Sequence, residues 1–242
     1  MSRILFLSDL HFCDYRNSVA YEARRNRRLA EIIRGGHFDL VVNLGDTVSR
    51  SGVLRADLEP HRRELFDGYL AWRAPLGVPF LECALAREKD FFQDLYGQPM
   101  DYAYQGIPGF TAIAFDPAGG DLRGTAEQWH WLEERLAASE GTPVLINTHV
   151  PYPGNCSRPI RPGTYLDAPE AIQRRVESFP SRVFWASGHF HWKLEEPVVK
   201  GSLTAFMGAR FRFENDPADE EAYLRILDTE TLAIETLVNP IA

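Results

Sequence analysis

Residues 4–12, ILFLSDLHF, form a short apolar run that ends in a polar segment containing Asp9 and His11. The length and composition of the run are typical of a buried strand. A helix is predicted next over residues 20–34, where two glycines end it, and a second strand follows in FDLVVNLGD, residues 38–46. A strand, a helix and a strand at this spacing predict a βαβ unit with a parallel pair of strands.

The same alternation continues along the chain. Further helices are predicted over residues 57–73, over TAEQWHWLEERLAASEG with Thr125 as its N-cap, and over residues 168–178. Further strands are predicted in GVPFLECAL, GFTAIAFDP, PVLINTH and RVFWASGHFH. The tail is predicted to form two or three antiparallel strands with a turn at residues 228–230. The pattern predicts one domain over residues 1–242, an α/β sandwich with a mixed sheet.

Composition narrows the class of protein. The chain has 242 residues, of which 45% are hydrophobic and 25% charged, as expected for a globular domain. Its net charge of -8 argues against a broad nucleic-acid-binding surface, and the basic run at residues 24–28 is interpreted as the solvated face of a helix.

Cellular location is predicted from three further features. No apolar run is long enough to span a membrane, and the first residues become polar too early for a signal peptide. The three cysteines, Cys13, Cys83 and Cys156, fit reduced thiols better than a disulfide framework. We therefore expect a cytoplasmic protein with no membrane association.

Histidine and aspartate recur where predicted strands end. Four of the seven histidines stand there, and two aspartates occupy equivalent places: His11, His149, His189, His191, Asp9 and Asp46. The carboxyl ends of strands in an open α/β fold meet at one crevice, and residues two apart on an extended segment point the same way. Each pair or single residue has an ordinary structural explanation, but the set as a whole predicts a site for zinc, manganese or iron.

These motifs and their order resemble those of the calcineurin-like metallophosphoesterases: SDLHF, LGDT, NTHVP and SGHFH match the family's D-x-H, G-D, histidine and G-H-x-H elements. The resemblance covers about residues 3–230 and implies a four-layered α/β/β/α sandwich with a dinuclear centre. It implies that one metal binds Asp9, His11 and His191, that the other binds His149 and His189, and that Asp46 bridges both. The implied reaction is attack on a phosphoester by a metal-activated hydroxide.

The family's third motif, Gly-Asn-His-Asp/Glu, is altered in this chain. Counting without a gap from Pro79 aligns it with residues 85–88, Leu-Ala-Arg-Glu. Ala86 offers no ligand atom to the second metal. Arg87 replaces the histidine that, in the family, helps the leaving group depart or holds phosphate. Arginine can hold a phosphate oxygen but cannot act as a general acid, so Arg87 is a catalytic candidate of a different kind.

Three functions remain open at this point. The first is a phosphoester hydrolase with an altered second-metal shell, in which water, Glu82, Glu88 or Asp90 replaces the missing ligand. The second is a metal-bearing binding or regulatory domain with little turnover, and the third is a non-phosphatase hydrolase or lyase on the same scaffold. The six intact ligand positions favour the first.

A small-molecule phosphoester is the expected substrate. The helix GTAEQWHWLEERL is similar to one in family branches that include many phosphodiesterases, which favours a phosphodiester. In the loop after His149 and just beyond it, Arg158 and Arg161 could reach the crevice, and Tyr152 and Tyr165 could flank an organic group. Solvent exposure and ordinary packing explain these four residues at least as well. The sequence leaves the oligomeric state open.

Overall fold

The computed structural model describes residues 2–48, 62–83, 92–116, 124–154, 165–191, 194–211, 213–214 and 221–240. Its helices are α1 (Val19–Gly35), α2 (Arg62–Arg73), α3 (Phe92–Tyr96), α4 (Ala126–Ala138) and α5 (Glu170–Glu177). A 3-10 turn, Ala74–Leu76, follows α2. Within the described ranges, none of the helices combines the length and apolar character needed to cross a membrane.

In the described part of the chain, the strands form two six-stranded mixed sheets. The first sheet contains β1 (Arg3–Leu7), β2 (Leu40–Asn43), β3 (Phe80–Glu82), β10 (Ala209–Arg210), β11 (Tyr223–Asp228) and β12 (Ile234–Val238). The second contains β4 (Tyr102–Tyr104), β5 (Thr111–Ala114), β6 (Val144–Thr148), β7 (Val183–Ser187), β8 (Val198–Lys200) and β9 (Leu203–Met207). β1, β2 and β3 run parallel, as do β5, β6, β7 and β9.

Alternating side chains on the strands separate the core into layers. On β1, Leu5 and Leu7 pack against α1 and α2, whereas Ile4 and Phe6 pack between the two sheets. The outer face of the second sheet packs against α4 and α5. The chain is therefore a four-layered α/β/β/α sandwich, which confirms the fold class predicted from the sequence.

Most predicted elements are present at the expected places. The helix predicted at residues 20–34 is α1, and Thr125 is the N-cap of α4, where a capping box with Gln128 satisfies the first backbone N–H groups. The predicted turn after β11 is held by the Asp228 carboxylate, which accepts hydrogen bonds from the backbone of Glu230 and Thr231. Two short strands, β4 and β8, and the short helix α3 were not predicted.

The tail differs from the prediction in its first strand. β10, β11 and β12 pair antiparallel, as expected, but β9 pairs parallel with β7 and belongs to the second sheet. The chain crosses between the sheets at Gly208, where a Cβ atom would overlap the Leu44 side chain and lie 2.9 Å from Phe6 Cβ. Only glycine permits this close crossing.

Candidate metal centre

The loops that follow β1 and β2 are joined by backbone hydrogen bonds. Asp9 N–H donates to Gly45 O at 2.9 Å, and His11 N–H donates to Asp46 O at 3.0 Å. In these loops and the one after β7, four candidate ligands lie in the left-handed region, with φ of 53°, 45°, 48° and 70° for Asp9, His11, Asp46 and His189. Such backbone is costly for these residues and concentrates at functional sites.

One group of potential ligands consists of Asp9, His11 and His191, whose ligand atoms lie within 4.8 Å of one another. The Nε2 atoms of His11 and His191 are 2.9 Å apart. Asp9 Oδ1 lies 3.3 Å from His191 Nε2 and 3.8 Å from His11 Nε2. The structure therefore brings all three of these candidate ligands together.

A second group consists of Asp9, Asp46 and His149, again within 4.8 Å. His149 Nε2 lies 3.6 Å from Asp46 Oδ2 and 3.3 Å from His189 Nδ1. His149 Nδ1 lies 2.7 Å from Leu44 O, and a carbonyl only accepts hydrogen bonds, so Nδ1 carries the proton. In the neutral ring, Nε2 therefore keeps its lone pair for a ligand.

Asp9 is the carboxylate shared by both groups, whereas the family resemblance assigns the bridging role to Asp46. The Asp9 side chain is held by Ser8 Oγ and by the His189 backbone N–H, both of which donate to Oδ2. Burial disfavours its charge, but His191, His149 and His11 together outweigh burial and hold the pKa of Asp9 well below its usual range. The carboxylate is therefore charged and oriented.

The pKa values of the histidine side chains shift in different directions, depending on their surroundings. Burial lowers the pKa of His11 to about 4, although Asp46 and Asp9 oppose the shift. Burial and then His149 lower the pKa of His189. Burial also acts on His191, but Asp9 outweighs it and raises that pKa. Neutral histidines are the form that binds metal, so His11 and His189 are suited to that role near neutral pH.

Buried polar atoms without hydrogen-bond partners show whether a cation would fit between the candidate ligands. Among the described residues, Asp9 Oδ1, His11 Nδ1 and His191 Nδ1 are buried without a hydrogen-bond partner. Asp9 Oδ1 also faces two imidazole nitrogens that are themselves in close contact. A buried anionic oxygen beside converging nitrogen lone pairs is stabilised by a cation, so the residues present fit a metal.

Gly188 allows the G-H-x-H loop to approach the ligands closely. A Cβ atom there would overlap Ser8 Oγ and lie 2.9 Å from Asp9 Oδ2 and 3.3 Å from His149 Nδ1. The backbone N–H of the next residue, His189, is also the one that donates to Asp9. A larger residue at this position must displace atoms of both ligand groups.

We therefore expect Gly188→Ala to weaken metal binding about 10- to 100-fold, the range produced by disturbing groups that orient ligands. Competition with a metallochromic chelator measures the effect. Gly35→Ala is the matched control, because nothing lies within 4 Å of a Cβ added there. Equal metal affinity in both variants would show that the Gly188 backbone does not shape the site.

A buried polar network supports the loop that carries Asp46. Asn43, the last residue of β2, donates to Thr47 Oγ1 and to Glu82 Oε2, each at 2.8 Å. Tyr69 on α2 donates to Glu82 Oε1 at 2.8 Å, and Arg73 also donates to that oxygen. The Glu82 carboxylate is therefore committed to this network and belongs to neither ligand group, so it does not replace the missing ligand.

An arginine near the ligands was missed in the sequence. Arg16 donates from Nε and Nη2 to the two oxygens of Asp14, each at 2.7 Å. Its guanidinium carbon lies 3.4 Å from the ring centroid of Phe213, and that ring contacts both His11 and His191. No local pattern signals this contact, because Arg16 and Phe213 are nearly 200 residues apart in the sequence.

The chain is similar to known proteins in its structure but not detectably in its sequence. No family model and no curated protein matches the sequence. A dimetal phosphatase from Danio rerio superposes with a TM-score of 0.64 at 14% identity, over 100% of this chain and 99% of that one. The chain therefore has a metallophosphoesterase-like fold.

Two other solved structures share the metallophosphoesterase-like fold. GAP50, the anchor in the inner membrane complex of Plasmodium, superposes with a TM-score of 0.59 at 14% identity, over 98% of this chain and 84% of that one. A putative 5'-nucleotidase from Staphylococcus aureus superposes with a TM-score of 0.57 at 12% identity, over 99% of this chain and 54% of that one. At these identities the likeness concerns the fold.

Some candidate residues from the sequence analysis have no described position in the structure. The residues outside the described ranges are Arg87, Glu88, Asp90, Arg158 and Arg161. Tyr152 is buried in the outer core, where it packs against Trp185 and donates to Glu177, so ordinary packing is the alternative that the structure supports for this residue. Tyr165 packs edge-on against Phe190, which adjoins His189.

Proposed function

We propose that this chain is a dimetal phosphoesterase that hydrolyses small-molecule phosphodiesters. The observation that carries the proposal is the Asp9 carboxylate, which is buried, charged and shared by two groups of potential ligands. Four strand-end histidines converge around it, and the fold is that of a dimetal phosphatase.

The proposed ligands are the six residues predicted from the sequence, but Asp9 would contribute to both metal ions instead of one. Asp9, His11 and His191 would hold one ion, and Asp46, His149 and His189 would hold the other together with Asp9. This mixture of nitrogen and oxygen donors suits manganese, iron or zinc. When bound, two such ions would acidify a water molecule and neutralise the charge on phosphoryl oxygens.

Neighbouring groups of the chain hold the proposed ligands in orientations suited to this reaction. The hydrogen bond from His149 Nδ1 to Leu44 O fixes the tautomer, and the Ser8 and His189 donors fix one oxygen of Asp9. We further propose that Arg87 holds a phosphate oxygen of the substrate. Because arginine does not release a proton near neutral pH, the leaving group must be stable as an anion or take its proton from water, which favours activated diesters.

The first experiment measures metal content and turnover together. Protein purified without added metal is expected to contain two transition-metal ions per chain, and to hydrolyse bis-p-nitrophenyl phosphate faster than p-nitrophenyl phosphate when supplied with manganese, zinc or iron. If the monoester were hydrolysed faster, the chain would still be a phosphoesterase, but the proposed preference for diesters would be contradicted. Fewer than two ions at saturation would contradict the dinuclear centre.

A second candidate is a metal-bearing binding domain with little turnover. GAP50 has this fold and is described as an anchor, and the altered third motif of this chain removes residues that the family uses in catalysis. Two bound ions with no hydrolysis of either substrate would favour this candidate over the phosphoesterase.

A further inference from the structure

A cavity of about 360 Å³ lies between the two sheets at one open edge. The edge strands β12 and β8 both contribute to its wall, through Thr236 and Val199. Phe184, near the start of β7, packs in the layer between the sheets and also lines the cavity. His189 follows the opposite end of β7, and none of the six proposed metal ligands is among the described residues that line the cavity. The cavity is therefore separate from the candidate metal centre.

Arg225 on β11 points into the space between the sheets. Its neighbours Leu224 and Ile226 belong to the outer layer against α1, so the side chain between them faces the opposite way. Arg225 is only 3% exposed, and it lines the cavity. A charged side chain in such a place is unusual, because buried charges normally have a partner of opposite charge.

The described part of the protein satisfies this guanidinium only in part. Among the described residues, Nη2 of Arg225 donates to the backbone oxygen of Glu195, whereas the buried Nε has no hydrogen-bond partner. Burial lowers the pKa of Arg225, and the opposing effects of Tyr223 and Glu196 do not outweigh it. Arginine nevertheless keeps its charge near neutral pH. An anion in the cavity would therefore stabilise this side chain.

The other polar residues of the wall indicate which anion fits. Arg182 and Glu196 are exposed residues that line the cavity, so together with Arg225 the wall carries two positive charges and one negative charge. Because unpaired charge is costly in a partly enclosed site, this balance suits a monoanion, such as a carboxylate, better than a dianionic phosphate monoester. Thr204 and Thr236 also line the cavity and offer hydroxyl groups that can donate to the same anion.

Apolar side chains form the rest of the wall, from Phe184, Pro197, Val199, Leu232 and Ile234. Small-molecule sites in proteins typically combine an apolar wall with a few polar groups that fix the orientation of the ligand, in volumes of about 300–1,000 Å³. The cavity has this combination and a volume in this range. A ligand that suits it joins a carboxylate to a small apolar group.

We propose that this cavity binds a small organic carboxylate, with the carboxylate group on the guanidinium of Arg225 and the apolar group against Phe184 and Ile234. The guanidinium would donate charge-assisted hydrogen bonds, which are among the stronger hydrogen bonds in proteins. The site goes beyond the proposed phosphoesterase function and does not depend on it, because the two sites share no residue.

Benzoate is the probe for the test, because it joins a carboxylate to a flat apolar ring. Titration into the wild-type protein, followed by saturation-transfer NMR, is expected to give a dissociation constant on the order of 1 mM, a typical affinity for so small a ligand. Benzamide has nearly the same shape but no charge, and is expected to bind at least about 10-fold more weakly. Equal binding of the two compounds would contradict a site for anions.

Variants of Arg225 connect the binding to this cavity. Arg225→Met keeps the length of the side chain but removes its charge and donors, and its dissociation constant for benzoate is expected to rise about 10- to 100-fold. Arg225→Lys keeps the charge but loses the planar arrangement of donors, and a rise of about 3- to 10-fold is expected. Thermal unfolding shows whether each variant is folded, and Arg225→Lys carries the test if Arg225→Met is not. The matched control is Arg34→Met, which removes an exposed arginine from α1 and is expected to leave benzoate binding unchanged.

Asp9→Asn separates this cavity from the candidate metal centre, which could itself bind a carboxylate. The variant is expected to bind benzoate as tightly as the wild-type protein, because Asp9 does not line the cavity. Benzoate binding that is lost in Asp9→Asn but kept in Arg225→Met would assign the ligand to the metal centre and overturn the proposal. Absence of benzoate binding at about 10 mM would overturn it as well. Neither result would contradict the phosphoesterase function, which metal content and hydrolysis assays test separately.

Discussion

Asp9→Asn is expected to retain neither metal ion and to reduce diester hydrolysis at least about 1,000-fold. Asp9 belongs to both ligand groups, and its negative charge is surrounded by imidazoles. Asparagine preserves the size of the side chain but removes the charge and one acceptor oxygen. Metal content by elemental analysis and initial rates with bis-p-nitrophenyl phosphate measure the two effects.

Asp46→Asn provides the informative comparison. Asp46 belongs to one group only, so this variant is expected to keep one ion per chain while losing activity. If Asp46→Asn lost both ions and Asp9→Asn kept one, Asp46 would be the shared ligand, as the family resemblance implies. Asp94→Asn, which changes an exposed carboxylate on α3, controls for the loss of one negative charge.

Arg73→Met is expected to lower the free energy of unfolding by about 3–5 kcal/mol near pH 8. Arg73 pairs with Glu82, whose side chain is 2% exposed. Removing the arginine leaves a buried carboxylate with only neutral partners, Asn43 and Tyr69. Urea unfolding followed by tryptophan fluorescence measures the loss.

The same variant has a defined pH dependence. Burial raises the pKa of Glu82 above its ordinary value of 4.5, although Arg73, Tyr69 and Asn43 oppose the shift. Between 4.5 and the raised value, the folded state binds more protons than the unfolded state, so stability falls as pH rises through this window. Arg73→Met raises the upper limit of the window. The difference from wild type should therefore be largest at pH 8 and small at or below pH 4.5.

A double change tests the cause. Glu82→Gln with Arg73→Met removes both charges, so it is expected to recover most of the stability lost in Arg73→Met and to abolish the extra pH dependence. Equal losses in the single and double variants would mean that Arg73 contributes through packing rather than through its charge.

Most of the strands and helices were predictable because their signals are local. β1 alternates between the two core layers, and α4 begins with a complete capping box. The tail was only partly predictable. β9 has the composition of any buried strand, and nothing within it indicates that it pairs with β7 rather than with the strands that follow it. Pairing is decided by the whole sheet.

The ligand positions were predictable for a similar reason. Parallel strands end at one edge of a sheet, so histidines and aspartates at strand ends predict their own convergence. The partition between the two groups was not predictable, because it depends on side-chain positions set by left-handed backbone at Asp9 and Asp46. The placement of Glu82 also required the structure, since its strand ends beside α2 and its carboxylate joins the network there.

By itself, the sequence determined a layered α/β fold and a set of candidate metal ligands, because hydrophobic periodicity and the residues at strand ends are encoded in short segments. The tertiary structure alone decided which carboxylate both ligand groups share, where Gly208 carries the tail between the sheets, and that Arg16 lies against Phe213. Each of these features depends on contacts between residues that are distant in sequence, and such contacts form and stabilise the protein only when the layers pack together.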